Sequence, residues 1–192
     1  MTASVLAHCG RSARGLTQTE LSSRSGVAGS SLSLIEHGKR EPTVATLEAI
    51  LRATRHTVVT IPTVRSDAAC IAAEIAIAIR HHDEETAFKR FIQLADNLAA
   101  EKGATRVGLT LTEPAPTGSL EWDVAIAALS EYRLNAGRLP VPDWIRLRKG
   151  LVGRKKWAPR TSDYEIEVEV AQVPKEFRRR GILIEARTLE SV

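Results

Sequence analysis

Hydrophobic positions near the start of the chain recur every three or four residues in four short stretches, and this spacing predicts four short helices. The first helix is expected to end before Gly15, where glycine can take the left-handed conformation that closes a helix. Thr17 is placed to cap the second helix, and Glu20 completes a capping box. Helices this short are marginal alone in water, so we expect them to pack together.

Two glycines bound the third predicted helix. Gly26 follows the second helix and Gly38 follows the third, while Leu32 and Ile35 have the spacing of an inward-facing pair. Ala28 stands at the N-cap of the third helix, where Ser, Thr, Asn or Asp would accept a backbone N–H. Its lack of an acceptor lowers helix stability by about 1 kcal/mol. The fourth helix follows a basic turn that contains proline.

A change of pattern after the fourth helix marks a domain boundary. Residues 55–65 read RHTVVTIPTVR, and their β-branched side chains and proline predict an extended connector. We therefore predict a first helical domain over residues 1–62 and a second domain over residues 63–192. The fold class is predicted to be mostly α with minor β. The elements predicted in the second domain are helices over about 66–80, 84–102 and 120–136, a short helix from 143, strands at 165–170 and within 177–185, and a closing helical turn at 186–191.

Composition and charge narrow the class of protein. Apolar residues make up 43% of the chain, and the two cysteines show neither disulfide nor zinc spacing. There is no signal-peptide core and no apolar run long enough to span a membrane, so we expect a cytoplasmic protein. Residues 1–62 and 141–192 carry net charges of +3 and +4, whereas residues 63–140 carry −3. Basic ends permit contact with nucleic acid.

Four short helices with the turn Ser25-Gly26-Val27 between the second and third have the layout of a helix-turn-helix unit. The stretch LTQTELSSRSGVAGSSLSLIEHGKREPTVATLEAI resembles the phage-repressor-like, Xre-type DNA-binding domain, over roughly residues 3–58. The resemblance implies a homodimer that binds a palindromic operator in double-stranded DNA.

The resemblance also implies roles for individual residues. Thr17 and Gln18 would contact a phosphate at the start of the second helix, and Arg11 and Glu36 would form an ion pair that holds the third helix. The remaining expected DNA contacts are the base-reading positions Gly29, Ser30 and Leu34, the adjacent Ser31 and Ser33, and the backbone-contacting Lys39 and Arg40. Since the reading positions lack Arg, Lys, Asn and Gln, discrimination between bases is expected to be modest.

The C-terminal part contains candidate partner contacts. The segment WIRLRKGLVGRKKWAPR, residues 144–160, has seven basic residues and no acid. It fits a solvated basic loop, a surface for an acidic protein, or a surface for nucleic acid with a base stacked on tryptophan. Candidate anchors for a partner are Trp122, Trp144 and Trp157, and candidate ion-pair residues are Arg178, Arg179 and Arg180.

Metal binding and catalysis find little support in the sequence. The run His81-His82-Asp83-Glu84-Glu85 holds metal-ligand types, but adjacent helix residues diverge by about 100° and are better explained as a helix start. Glu165, Glu167 and Glu169 fit the solvated face of a strand better than a metal site. The chain has no recognisable catalytic motif, so we expect no enzymatic activity and no cofactor.

The order EWDVAIAALSEYRL, LPVPDW and VPKEFRRRGILIEARTLESV is loosely similar to the accessory domain of antitoxin-like bacterial regulators. That similarity implies a nucleoid-associated repressor that regulates its own operon and blocks a cognate protein toxin through residues from about 66 onward. The alternative is a regulator whose C-terminal domain senses a small molecule in a pocket. An RNA-binding protein would require aromatic residues on a basic face, and only 4% of the residues are aromatic.

Overall fold

A computed structural model describes residues 2–151, 153, 155–159 and 168–190. The described chain is mostly helical, which confirms the predicted fold class. The α-helices of the described residues are α1 (Ala3–Ala13), α2 (Gln18–Ser25), α3 (Gly29–Glu36), α4 (Val44–Ala53), α5 (Ala68–Arg80), α6 (Glu84–Ala100), α7 (Gly103–Gly108), α8 (Leu120–Ala136), α9 (Asp143–Leu147) and α10 (Lys175–Arg178). Two 3₁₀ turns lie before and after α10, at Val170–Gln172 and Ala186–Leu189.

The first four helices surround a small aliphatic core. Its buried members are Ala7, Leu21, Leu32, Ile35 and Ile50. The predicted caps at both ends of α2 are present: the Thr17 side chain accepts from the Glu20 N–H, and Gly26 closes the helix with φ of 72°. No side chain caps α3 at Ala28, so this helix depends on burial of its inner face rather than on its terminus.

A second and larger core lies in the remainder of the chain. Helices α5 and α6 form a helical hairpin, and α8 packs against both of them. Trp122 is tilted against Phe91 with ring centroids 5.6 Å apart, and Phe177 meets Phe91 edge-on at 6.5 Å. Two separate hydrophobic cores are consistent with two domains, although the boundary at residue 62 stays a prediction.

The two cores are linked by a connector and by direct helix packing. Residues 57–60 carry exposed side chains, and within the described chain their backbone makes no hydrogen bond to another backbone group. Helix α1 also packs against α5. Cys9 of α1 and Cys70 of α5 are buried, and burial raises the pKa of each thiol to about 11, so both stay protonated at neutral pH.

The described residues do not form the two strands that we predicted in the C-terminal part. Residues 165–167 of the first predicted strand lie outside the described residues, and Val170 begins a 3₁₀ turn. In the second, Ile182 forms an isolated parallel bridge to Trp157 instead of a strand. Pro174 stands at the N-cap of α10, where the missing N–H of proline breaks no helical hydrogen bond. The closing turn at Ala186–Leu189 is confirmed.

One helix was missed by the sequence pattern. Helix α6 ends at Ala100 rather than at Lys102, and α7 follows it over Gly103–Gly108. The glycines at both ends of α7 are poor helix formers, so the sequence pattern did not predict this helix. Gly108 packs closely against the connector, because a Cβ there would lie 2.9 Å from a side-chain methyl of Ile61.

Candidate nucleic-acid interface

Helix α3 is presented at the surface by the packing of its inner side. Leu32 and Ile35 are buried in the first core, 0% and 1% exposed. On the outer side Gly29, Ser30 and Leu34 are exposed, and Leu34 leaves 42% of its surface in solvent. An exposed helix with a small polar surface can enter the major groove of B-DNA, which is about 12 Å wide.

A network of charged and polar groups holds the end of α3. Arg11 Nε and Nη2 donate to the two oxygens of Glu36 at 2.7 and 2.9 Å, and Gln18 Nε2 donates to Glu36 Oε2 at 2.8 Å. Burial alone would raise the pKa of Glu36, but the hydrogen bonds from Arg11 and Gln18 outweigh it and hold the pKa below its usual value. Glu36 thus links α1, α2 and α3 through one carboxylate.

The start of α2 is partly occupied by its own side chains. The Thr17 hydroxyl and backbone N–H both donate to Glu20 Oε2, at 2.8 and 2.7 Å. These donors, which we expected to meet a phosphate, are therefore engaged inside the capping box. Gln18 keeps one amide N–H beyond its bond to Glu36, so it retains a donor for DNA.

The chain reverses immediately after α3. Gly38 has φ of 68°, its N–H donates to the Ile35 carbonyl, and the Lys39 N–H donates to the Leu34 carbonyl. This pair of bonds is a Schellman motif, and it returns residues 39 and 40 toward the helix. Arg40 Nη1 donates to Ser31 Oγ of α3 at 2.9 Å. The Ser31 contact had no signal in the sequence, because it depends on the turn geometry.

The three candidate tryptophan anchors differ in their accessibility. Trp122 is only 1% exposed and meets Trp157 edge-on at 5.0 Å, so it is a core residue with no surface for a partner. Trp157 and Trp144 are partly buried against the same core, and the Trp144 indole N–H donates to the Thr110 carbonyl at 2.9 Å. Trp144 and Trp157 keep part of their surface exposed and stay candidate anchors, whereas Trp122 does not.

The three candidate arginines also have different surroundings. Arg180 is 3% exposed, donates to Glu131, and donates to the Ile145 carbonyl at 2.7 Å. It is therefore a structural residue, because its charge is already compensated by a buried carboxylate. Arg179 contacts the same Glu131 but is largely exposed, and Arg178 is exposed. Sequence reasoning missed Glu131, which lies far away along the chain.

The residues at Gly150 and Trp157 lie beside residues 178–181, and exposed positively charged side chains flank both segments. The Leu151 and Trp157 N–H groups donate to the carbonyls of Arg180 and Gly181, both at 2.9 Å. A Cβ at Gly150 would lie 2.6 Å from Arg180 Cα, so only glycine permits this approach. The exposed cations flanking these contacts, hereafter the basic surface, are Lys149, Lys155, Lys156, Arg178 and Arg179. Apart from Arg179, none of them forms an ion pair within the described residues.

A separate open groove of about 930 Å³ runs beside the connector. Its lining includes Arg65 and Arg90, which pair with Glu101 and Glu74. Asn97 is buried at its floor, and its amide donates to the Ser66 carbonyl at 2.9 Å. The groove thus has charged walls whose ionic groups are already paired.

The candidate metal ligands do not assemble into a site. Over the described ranges, no group of three His, Cys, Asp or Glu residues could hold a metal ion. Asp83 caps α6 by accepting from the Thr86 N–H, in keeping with the predicted helix start, while His81 and His82 are exposed. Glu165 and Glu167 lie outside the described residues. No helix in the described part of the chain is long and apolar enough to cross a membrane.

Comparison with known proteins gives one family match, within the first four helices. Residues 11–55 match the helix-turn-helix family HTH_3, and this segment contains the last three residues of α1 and all of α2, α3 and α4. The match indicates a DNA-binding transcriptional regulator. Searches of curated proteins and of solved structures returned no match.

Proposed function

We propose that the chain is a sequence-specific repressor that acts as the antitoxin of a bacterial toxin–antitoxin module. Its first domain binds operator DNA as a homodimer and represses its own operon, and residues 63–192 neutralise a cognate protein toxin. The protein then acts in the cytoplasm, on the nucleoid. The DNA half of this proposal is supported by the exposed outer side of α3, held in place by Arg11, Gln18 and Glu36.

The basic surface supports a protein partner for the second domain. Its lysines and Arg178 have no carboxylate to neutralise them within the described residues, and they lie on neighbouring segments. A partner with an acidic patch would gain from this arrangement in association rate and in specificity. Because Trp122 and Arg180 are core residues, we assign the contact to Lys149, Lys155, Lys156, Arg178 and Arg179.

A matched pair of charge reversals tests the partner assignment. We expect Lys155→Glu with Lys156→Glu to abolish capture of the protein encoded next to this chain. The control is Arg80→Glu with Lys102→Glu, which changes the net charge equally at exposed positions outside the basic surface. Co-purification from the native host with mass spectrometry is the measurement. Equal capture by both variants would refute the basic surface as the partner site.

The Lys39→Ala substitution tests the DNA half. Lys39 is exposed beside α3 and carries a charge suited to a phosphate. Its removal should weaken binding about evenly across DNA sequences and reduce the slope of log affinity against log salt by about one contact. Affinities measured over a salt series would show this change. A slope equal to that of the unmodified protein would remove Lys39 from the interface.

The groove beside the connector favours a second candidate function, that of a regulator controlled by a small molecule. A ligand between Arg65 and Arg90 would contact both the connector and the α5–α6 hairpin. Such a ligand would alter DNA affinity without a protein partner. Isolation of the native protein bound to operator DNA but without the neighbouring gene product would favour this candidate over the antitoxin.

A further inference from the structure

We propose that Arg40 reads a guanine base in the major groove and that Ser31 of α3 positions it for this role. The proposal rests on the proposed binding of α3 to operator DNA. It changes the role expected for Arg40 from a phosphate contact to a determinant of sequence specificity.

The turn after α3 places Arg40 along the helix rather than beyond its end. Gly38, with its positive φ, allows the Schellman motif that brings the chain back. The Arg40 guanidinium then reaches Ser31, nine residues earlier, at 2.9 Å. Ser31 belongs to the first half of α3, close to the exposed Ser30. The guanidinium consequently lies beside the outer side of the helix that would face the bases.

The hydrogen bond to Ser31 leaves most of the guanidinium free. Arginine has five N–H donors in a planar fork, and the bond to Ser31 uses one of them. Arg40 is exposed and forms no ion pair within the described residues. A guanidinium fixed on one edge can present its other edge to guanine O6 and N7, the commonest specific contact in the major groove.

The composition of α3 makes an external reader necessary for strong discrimination. Gly29 has no side chain, Ser30 has a single hydroxyl, and Leu34 offers an apolar surface. None of these can form the bidentate pair that distinguishes guanine from the other bases. Arg40 has this ability, and its side chain donates a hydrogen bond to Ser31 of the helix.

Selection from a random pool of double-stranded DNA tests the proposal. The full-length protein should enrich a motif with a guanine in each half-site. Repeating the selection with Arg40→Lys, which keeps the charge but loses the fork, should erase that guanine while the other positions remain. Affinity for the selected site should fall about tenfold or more in Arg40→Lys, and similarly when guanine is replaced by 7-deazaguanine, which lacks N7.

Two further variants separate reading from charge. Ser31→Ala should weaken the preference for guanine while keeping the charge of Arg40. Lys39→Ala is the matched control, since it should lower affinity evenly and retain the guanine. A motif that keeps the same guanine in Arg40→Lys, with helical content unchanged by circular dichroism, overturns the role of Arg40 while DNA binding stands. If the unmodified protein enriches no sequence, the proposed operator binding fails as well.

Discussion

Replacing Trp122 with alanine is expected to lower the free energy of unfolding of the larger core by about 3–5 kcal/mol. The indole is 1% exposed and contacts the rings of Phe91 and Trp157, so the truncation leaves a cavity that these neighbours can only partly fill. Urea unfolding followed by far-ultraviolet circular dichroism measures the loss. Trp144→Ala, at a partly exposed site, is the control and should cost less. A loss below about 1 kcal/mol for Trp122→Ala would contradict its assignment to the core.

Replacing Glu36 with alanine should destabilise the first domain by about 3 kcal/mol and also weaken DNA binding. The Glu36 side chain is 4% exposed and that of Arg11 is 19% exposed, so the loss leaves a largely buried guanidinium without its carboxylate. Gln18 loses its acceptor at the same time. Melting temperature and DNA affinity should therefore fall together. A fall in affinity at unchanged melting temperature would mean that Glu36 acts directly at the DNA.

The same carboxylate predicts how the effect of Glu36 depends on pH. Its pKa is lower in the folded chain than in the unfolded chain, so its stabilising contribution is complete above the ordinary glutamate pKa of about 4.3. The contribution is lost as pH falls through the lower folded value. The stability difference between the unmodified protein and Glu36→Gln should accordingly be largest at neutral pH and shrink on acidification.

The distribution of aromatic residues allows the unfolding of the two cores to be distinguished by tryptophan fluorescence and circular dichroism. All tryptophans, tyrosines and phenylalanines lie after residue 87, so the first domain contains none. Tryptophan fluorescence therefore reports on the larger core, whereas circular dichroism reports on both. If residues 1–62 unfold independently, Glu36→Ala will shift the unfolding transition measured by circular dichroism and leave the one measured by tryptophan fluorescence unchanged. A shift in both signals would show that packing of α1 against α5 couples the two parts.

The first four helices could be predicted from the sequence because short-range interactions determine where they begin and end. Thr17, Glu20 and Gly26 act within a few residues of one another, and their capping roles follow from spacing alone. The inward positions Leu32 and Ile35 follow from helical periodicity. The other positions of α3 then form its exposed outer side. Here every local preference agrees with the fold, apart from the uncapped start at Ala28.

Prediction from local sequence patterns failed in the C-terminal part, because contacts between residues far apart in the sequence determine the structure there. The apolar end of FRRRGILIE suggested a strand, but Arg180 is held in the core by Glu131, which lies 49 positions earlier. Trp122, chosen as a surface anchor, is enclosed by rings from other parts of the chain. The position of Arg40 was missed for a similar reason, since periodicity does not reveal which side chains a turn brings together.

The exposed connector also bears on how long the intact protein survives in a cell. Proteases cut exposed segments that are free of secondary structure, and residues 57–60 have exposed side chains and, within the described chain, no backbone–backbone hydrogen bond. One cut there would break the covalent link between the helix-turn-helix part and residues 63–192, leaving the packing of α1 against α5 as a contact between them. In the proposed antitoxin, such a cut would weaken the coupling between repression and toxin binding, while leaving both hydrophobic cores uncut.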